Sequence, residues 1–153
     1  MKASERKAGC GGVLRSDTGV WIEGFSKALG DTTAYMAELW GIYEGLCLAR
    51  RREVTKLEIR TDSQVIAHSL QNQTDGSVMG SVLIRKIRDL LNGPWEVKII
   101  HIYREANRCA DMLANMGSEG TSGIEFFVNP PVRVRQIVRD DVRGVAVPRL
   151  ISL

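Results

Sequence analysis

No stretch of this sequence approaches the roughly 18 consecutive apolar residues that a membrane-spanning helix needs, and no membrane partner is expected. A secretory leader is missing too: Met1-Lys2-Ala3-Ser4-Glu5-Arg6-Lys7 is charged and runs into glycines instead of an apolar segment. A soluble, intracellular protein is expected, in nucleus or cytoplasm. Cysteine is scarce, with 3 residues (Cys10, Cys47, Cys109) far apart and no CxxC pair. An odd number at such spacing argues against a disulfide framework and a zinc site, and suits a reducing compartment. Neither sign of charge is in large excess: a net +3 permits a polyanionic partner without requiring one. There is no internal repeat, and at 153 residues one domain is natural and two would be cramped.

What is present fits an ordinary globular chain, 44% hydrophobic and 25% charged. Gly11 to Arg15 and Val20 to Phe25 alternate apolar residues around Ser16-Asp17-Thr18-Gly19, which predicts an antiparallel hairpin. From Thr32 to about Arg51, Leu39, Ile42, Leu46 and Ala49 recur at helical steps, with Asp31, Thr32 or Thr33 as cap. Gly41 and Gly45 in that helix suggest close approach to another element, since glycine there costs up to about 1 kcal/mol. Val54 to Thr61 reads as a strand ending at Asp62, followed by a short helix capped by Asp62 or Ser63. Ser81 to Asn92 reads as a helix stopped by Gly93-Pro94, and Trp95 to Ile102 as a strand. Asn107 is placed to cap a last helix that runs to Met116 and closes at Gly117. The order β-β-α-β-α-α-β-α predicts a mixed α/β sheet with helices. Residues 118 to 128 read as a Gly- and Ser-rich linker, and Asn129-Pro130-Pro131 opens a short helix with Val134, Ile137 and Val138 on one side.

Three acids lie where α/β proteins build sites: Glu38 and Asp111 in the first turns of helices, and Asp62 at the C-terminal end of a strand. Hard carboxylate oxygens on rigid elements suit Mg²⁺, which one or two carboxylates hold together with waters and substrate phosphates. Singly, each acid also has a plainer role, as helix cap, dipole partner or solvated surface residue.

The motifs taken together carry more. Ala8-Gly9-Cys10-Gly11-Gly12-Val13-Leu14-Arg15 with Gly19-Val20-Trp21 and Gly24-Phe25, then Ala37-Glu38-Leu39-Trp40-Gly41, and Thr61-Asp62-Ser63 follow one another in order. His101-Ile102-Tyr103-Arg104-Glu105-Ala106-Asn107 and Ala110-Asp111-Met112-Leu113-Ala114 close the series. This series resembles the ribonuclease H-like domain (type 1 superfamily) carried by plant retrotransposon-derived proteins. The resemblance covers nearly the whole chain, including the tail from Pro130-Pro131 through Val147-Pro148-Arg149. It implies a ribonuclease H-like sheet flanked by helices, residues 1–117 forming the domain and 118–153 a C-terminal linker and short helical tail. It also implies that Glu38, Asp62 and Asp111 are catalytic metal ligands in a two-ion Mg²⁺ site. His101, ten residues before Asp111, matches the auxiliary histidine that assists proton transfer or product release. Asn107 matches a polar position of the closing loop, and serves equally well as a helix cap.

One expected part is missing. The resemblance implies a strand carrying an aspartate and then a glycine, about ten residues before Ala8. Only seven residues precede Ala8, none is aspartate, and neither Glu5 nor Asp17 can substitute. That aspartate would bridge the two Mg²⁺ ions, so its loss is expected to lower turnover sharply. The strand would be central to the sheet. About six unpaired buried backbone groups, at about 1–3 kcal/mol each, rival the whole stability of a typical domain. The rest of the domain reads as intact, which favours a truncated start over a decayed remnant or another strand filling the gap.

The function expected is hydrolysis of the RNA strand of RNA/DNA hybrids by a metal-dependent endonuclease, impaired by the missing acid. Such domains read hybrid shape and 2′-hydroxyls, with Arg85, Lys86, Arg88, Arg104 and Arg108 as candidate phosphate contacts. The alternative is a non-catalytic nucleic-acid-binding protein of the same fold. A third reading is a module whose gap takes a strand from a protein partner.

Overall fold

The computed structural model describes residues 7–71, 80–120, 123–143 and 151–152. Alternation in the first hairpin settles the layering. β1 (Ala8–Arg15) turns into β2 (Trp21–Gly30) and pairs with it antiparallel, Val13 opposite Gly24. Gly19 takes the left-handed φ of 86° that the turn requires. The Val20 amide donates to Ser16 Oγ at 3.0 Å, and the Ser16 amide to the Val20 carbonyl at 2.9 Å. Along β1, Cys10 and Leu14 join a core with Leu39, Ile42 and Leu46 of α1 (Ala34–Arg51). Val13 belongs to a second core with Cys109 and Leu113 of α4 (Arg108–Glu119) and Val134 and Ile137 of α5 (Val132–Arg143). The sheet is therefore covered on both faces.

Thr33 settles the choice of cap for α1, its Oγ1 accepting from the Met36 amide at 3.1 Å. At the other end, Arg51 and Arg52 bind Glu23 of β2 at 3.2 and 2.9 Å, and Arg50 lies 5.2 Å over the Trp95 ring. β3 (Lys56–Thr61) starts two residues later than its pattern predicts. Glu53, at φ 58°, turns the chain, and the Val54 amide still serves the Ala49 carbonyl of α1 at 3.0 Å. After α2 (Gln64–Gln71) and α3 (Ser81–Leu91), β4 (Glu96–His101) pairs parallel with β3, from Lys56↔Glu96 to Thr61↔His101. Trp95, predicted to open that strand, instead closes the turn, its amide on the Gly93 carbonyl at 2.8 Å. No described helix is long and apolar enough to cross a membrane.

α4 runs past Gly117, the predicted stop, and ends at Glu119. Gly117 is there for room: a Cβ would press into the Lys27 carbonyl of β2. The segment read as a linker forms β5 (Ile124–Phe127) on the edge beside β2, where the Trp21 indole donates to the Phe127 carbonyl at 3.0 Å. Isoleucine and two phenylalanines outweigh the glycine and serine before them. α5 lies where the proline pair and its apolar stripe predict.

The sheet order is β4-β3-β6-β1-β2-β5. β6 (Ile151–Ser152) thus stands between β1 and β3, antiparallel to the first and parallel to the second. The gap expected there holds the chain's own C-terminal residues, opposite Val13–Leu14 and Ile59–Arg60. A position between buried strands demands backbone partners, and an extended segment supplies them.

Candidate active site

Where β3 ends, α1 and α4 approach each other across the sheet and leave a cavity of about 90 Å³. Glu38 of α1, Thr61 and Asp62 at the end of β3, and Asn107 and Asp111 at the start of α4 line it, with Gly9 to Gly11 of β1. Small residues make the approach possible. A Cβ on Gly11 would lie 2.6 Å from the Ala114 amide nitrogen, so β1 and α4 meet backbone to backbone. Gly41 is looser: a Cβ there would meet Cys10 Cβ at 3.6 Å, ordinary contact.

Burial raises the Glu38 carboxyl above its ordinary pKa, and the negative charge of Asp62 raises it further. A hydrogen bond from Ser63 and the positive charge of Arg104 act the other way. Ser63 also caps α2, its Oγ accepting from the Ile66 amide at 3.3 Å, which leaves the Asp62 carboxylate to the cavity. Arg104 Nε lies 3.9 Å from Asp62, but its side chain is 77% exposed, so the pair is weak and mobile. Asp111 is exposed at the rim, its amide bound to the Asn107 carbonyl at 3.1 Å. Asn107 is buried and holds the cap position of α4, but its side chain makes no capping hydrogen bond.

A carboxyl whose ionised form is disfavoured by burial and by a neighbouring acid suits a divalent cation, and Glu38 beside Asp62 is such a group. Among the described residues, no three His, Cys, Asp or Glu side chains are placed to hold a metal ion together. The donor set present fits a cation held by two carboxylates and water, with Asp111 across the cavity.

Other sequence candidates lie apart. His101 is exposed at the end of β4, its ring edge-on to Tyr103 at 5.9 Å, and does not line the cavity. Arg85 and Lys86 are exposed on α3, and Arg88 donates to the Ser69 carbonyl at 3.3 Å. Arg108 faces Asp140 of α5 at 3.8 Å. Cys109 is packing: it is buried, and its Sγ accepts from Arg15 at 3.0 Å. Cys10 lines the cavity, and burial pushes its thiol up to about 12, which keeps it protonated and inert.

Sequence reasoning missed two contributors. Ser63 was weighed only as a cap, whereas it also binds Glu38. The floor of small residues had a readable signal, since Gly9 and Gly11 alternate on β1 while Ala110 and Ala114 lie one turn apart on α4.

Residues 1–117 match the reverse transcriptase-like family. A candidate ribonuclease H protein of Arabidopsis thaliana is 40% identical over 146 residues, 95% of this chain and 24% of that protein. The chain thus spans about a quarter of the length of the curated relative it matches. The ribonuclease H1 of the halophilic archaeon Halobacterium salinarum superposes with a TM-score of 0.71 at 27% identity, covering 78% of this chain and 91% of that one. A ribonuclease H1 isolated from compost, solved in complex with an RNA/DNA hybrid, gives 0.69 at 23% identity, again over 78% and 91%.

Proposed function

We propose, from the premise that this chain belongs to the reverse transcriptase-like family and carries a ribonuclease H-like domain, that it is a metal-dependent endonuclease acting on the RNA strand of RNA/DNA hybrids. The observation that carries this reading is the pairing of Glu38 and Asp62 in one cavity, close enough for the Asp62 charge to raise the Glu38 pKa. Mg²⁺ bound there would activate a water and stabilise the leaving oxygen of the phosphodiester.

The chain's own groups do the rest. Glu38 and Asp62 would hold the cation, with Asp111 on the far wall of the cavity. Ser63 fixes the Glu38 carboxylate by its hydrogen bond. Arg104, exposed beside Asp62, is placed to meet a substrate phosphate. Arg85 and Lys86 offer further phosphate contacts on the surface of α3. Turnover is low in this reading, because Glu38, Asp62 and Asp111 are the only carboxylates among the described residues that line the cavity.

A second reading, a hybrid-binding protein without turnover, is favoured by the lack of a three-ligand cluster among the described residues. One experiment separates the two. The chain and an Asp62→Asn variant are incubated with a labelled RNA/DNA hybrid, with Mg²⁺ and with chelator, and both retention and cleavage are measured. Mg²⁺-dependent cleavage that the variant loses supports the nuclease. Retention by both proteins without cleavage selects the binder.

A further inference from the structure

Among the described residues, the middle strand of the sheet is its shortest. β6 pairs with Val13 and Leu14 of β1 and with Ile59 and Arg60 of β3, whereas β1 runs for 8 residues and β3 for 6. Each of these four neighbours is at most 7% exposed. Their backbone groups that face the middle are shut off from water and need partners there.

Two consequences follow from the order β4-β3-β6-β1-β2-β5. Within the sheet, β6 is the backbone link between a parallel pair (β3, β4) and an antiparallel trio (β1, β2, β5). A two-stranded ribbon is marginal by itself, and parallel strands are rarely left open. The second consequence concerns the site. Carried on by register, the next two places in the slot fall against Gly12 and Thr61, then against Gly11 and Asp62. Gly11, Thr61 and Asp62 all line the carboxylate cavity, so the cavity lies in line with the row that β6 occupies. The site is also divided across that row. Asp62 follows β3, whereas Asp111 belongs to α4, which packs on β1.

We propose that this middle row is a strand-acceptor slot, filled by the C-terminal strand entering antiparallel to β1 and parallel to β3. By joining the two halves of the sheet, the strand positions Asp62 relative to Asp111. Ile151 and Ser152 are then positioning residues, acting through their backbone, and the tail controls the cation affinity of the pocket. The slot itself rests on pairing and burial alone; the effect on cation binding rests on the function proposed above.

The test uses the full chain with Ser152→Pro, which removes a backbone donor and disfavours an extended pair, against Ser152→Ala, which keeps both. Hydrogen exchange is followed at Val13, Leu14, Ile59 and Arg60, and Mg²⁺ alone is titrated by calorimetry. In Ser152→Pro, exchange at those of these amides that face β6 is expected to quicken about tenfold or more and Mg²⁺ affinity to fall, while Ser152→Ala matches the parent. A peptide copying residues 144–153, added in trans, is expected to restore protection, also where Ser152→Pro fails to fold. Unchanged exchange in Ser152→Pro, or protection that the peptide does not restore, overturns the slot. Faster exchange with unchanged Mg²⁺ affinity overturns the positioning role. A parent chain that binds no Mg²⁺ refutes the metal reading and leaves the exchange result to decide the slot.

Discussion

On one side of the middle strand, β1, β2 and β5 run antiparallel, and β1 lies so close to α4 that glycines form the contact. On the other, β3 and β4 run parallel, with Leu57 and Ile59 packed among Ile66, Leu70, Leu83 and Ile87 of α2 and α3. This half also holds a sheltered ion pair, the buried Arg60 with the half-buried Glu58 at 2.7 Å. One half is thus fixed by backbone proximity and the other by side-chain volume. The acids of the site come from both, Asp111 from the first and Asp62 from the second, with Glu38 on α1 lining the same cavity. A pocket assembled this way depends on two kinds of packing at once, and each can be disturbed alone.

The largest disturbance is expected at Leu113, fully buried between α4 and the sheet. Leu113→Ala should cost about 2–5 kcal/mol in urea unfolding. Gly11→Ala tests the backbone contact itself. Its Cβ would meet Ala114 N and Leu113 Cβ at 2.6 Å, so a loss of about 1–3 kcal/mol is expected. Gly41→Ala should do the opposite, because its Cβ finds ordinary contact within a helix, and a gain of up to about 1 kcal/mol is expected. If both glycine variants behave alike, the contrast between tight and loose contact fails.

Sequence alone anticipated much of this. From Ala8 to α4 every helix and strand follows the predicted order, because each has its own period and a nearby stop such as Gly93-Pro94. Boundaries slipped where a residue serves its neighbour, as Val54 and Trp95 do. The tail was less legible. A four-residue strand and a two-residue strand have no period to read, and their place is set by partners more than 90 residues away, Phe25↔Phe126 and Leu14↔Ile151. Within the site, the acids were readable from their places on elements. That His101 lies off the cavity was not, since strand-end spacing leaves the direction of a side chain open.

Smaller effects concern charge. Glu38 titrates above its ordinary value because burial and Asp62 disfavour its ionised form. The folded state therefore holds this proton more tightly than the unfolded state. Stability from this group is present at acid pH and is lost as pH rises from the unfolded pKa through the raised folded one. Urea midpoints across that window should show the parent losing stability relative to Glu38→Gln, with Mg²⁺ reversing part of the loss. A parent that gains stability with pH relative to Glu38→Gln would contradict this placement. The smallest effect is expected for Arg104→Ala. At 77% exposure and 3.9 Å from Asp62, its loss should change stability by under about 0.5 kcal/mol. It should nonetheless raise the Glu38 pKa further, which carbon-detected NMR titration of the carboxyl would register.

The most direct measurement of the central claim is strand-specific cleavage, with an RNA/DNA hybrid labelled on either strand and Mg²⁺ titrated into the full chain. Products from the RNA strand alone, rising with Mg²⁺ and about a hundredfold or more slower in Asp62→Asn, are the predicted result. Cleavage that survives Asp62→Asn, or no cleavage at any Mg²⁺ concentration, would contradict it.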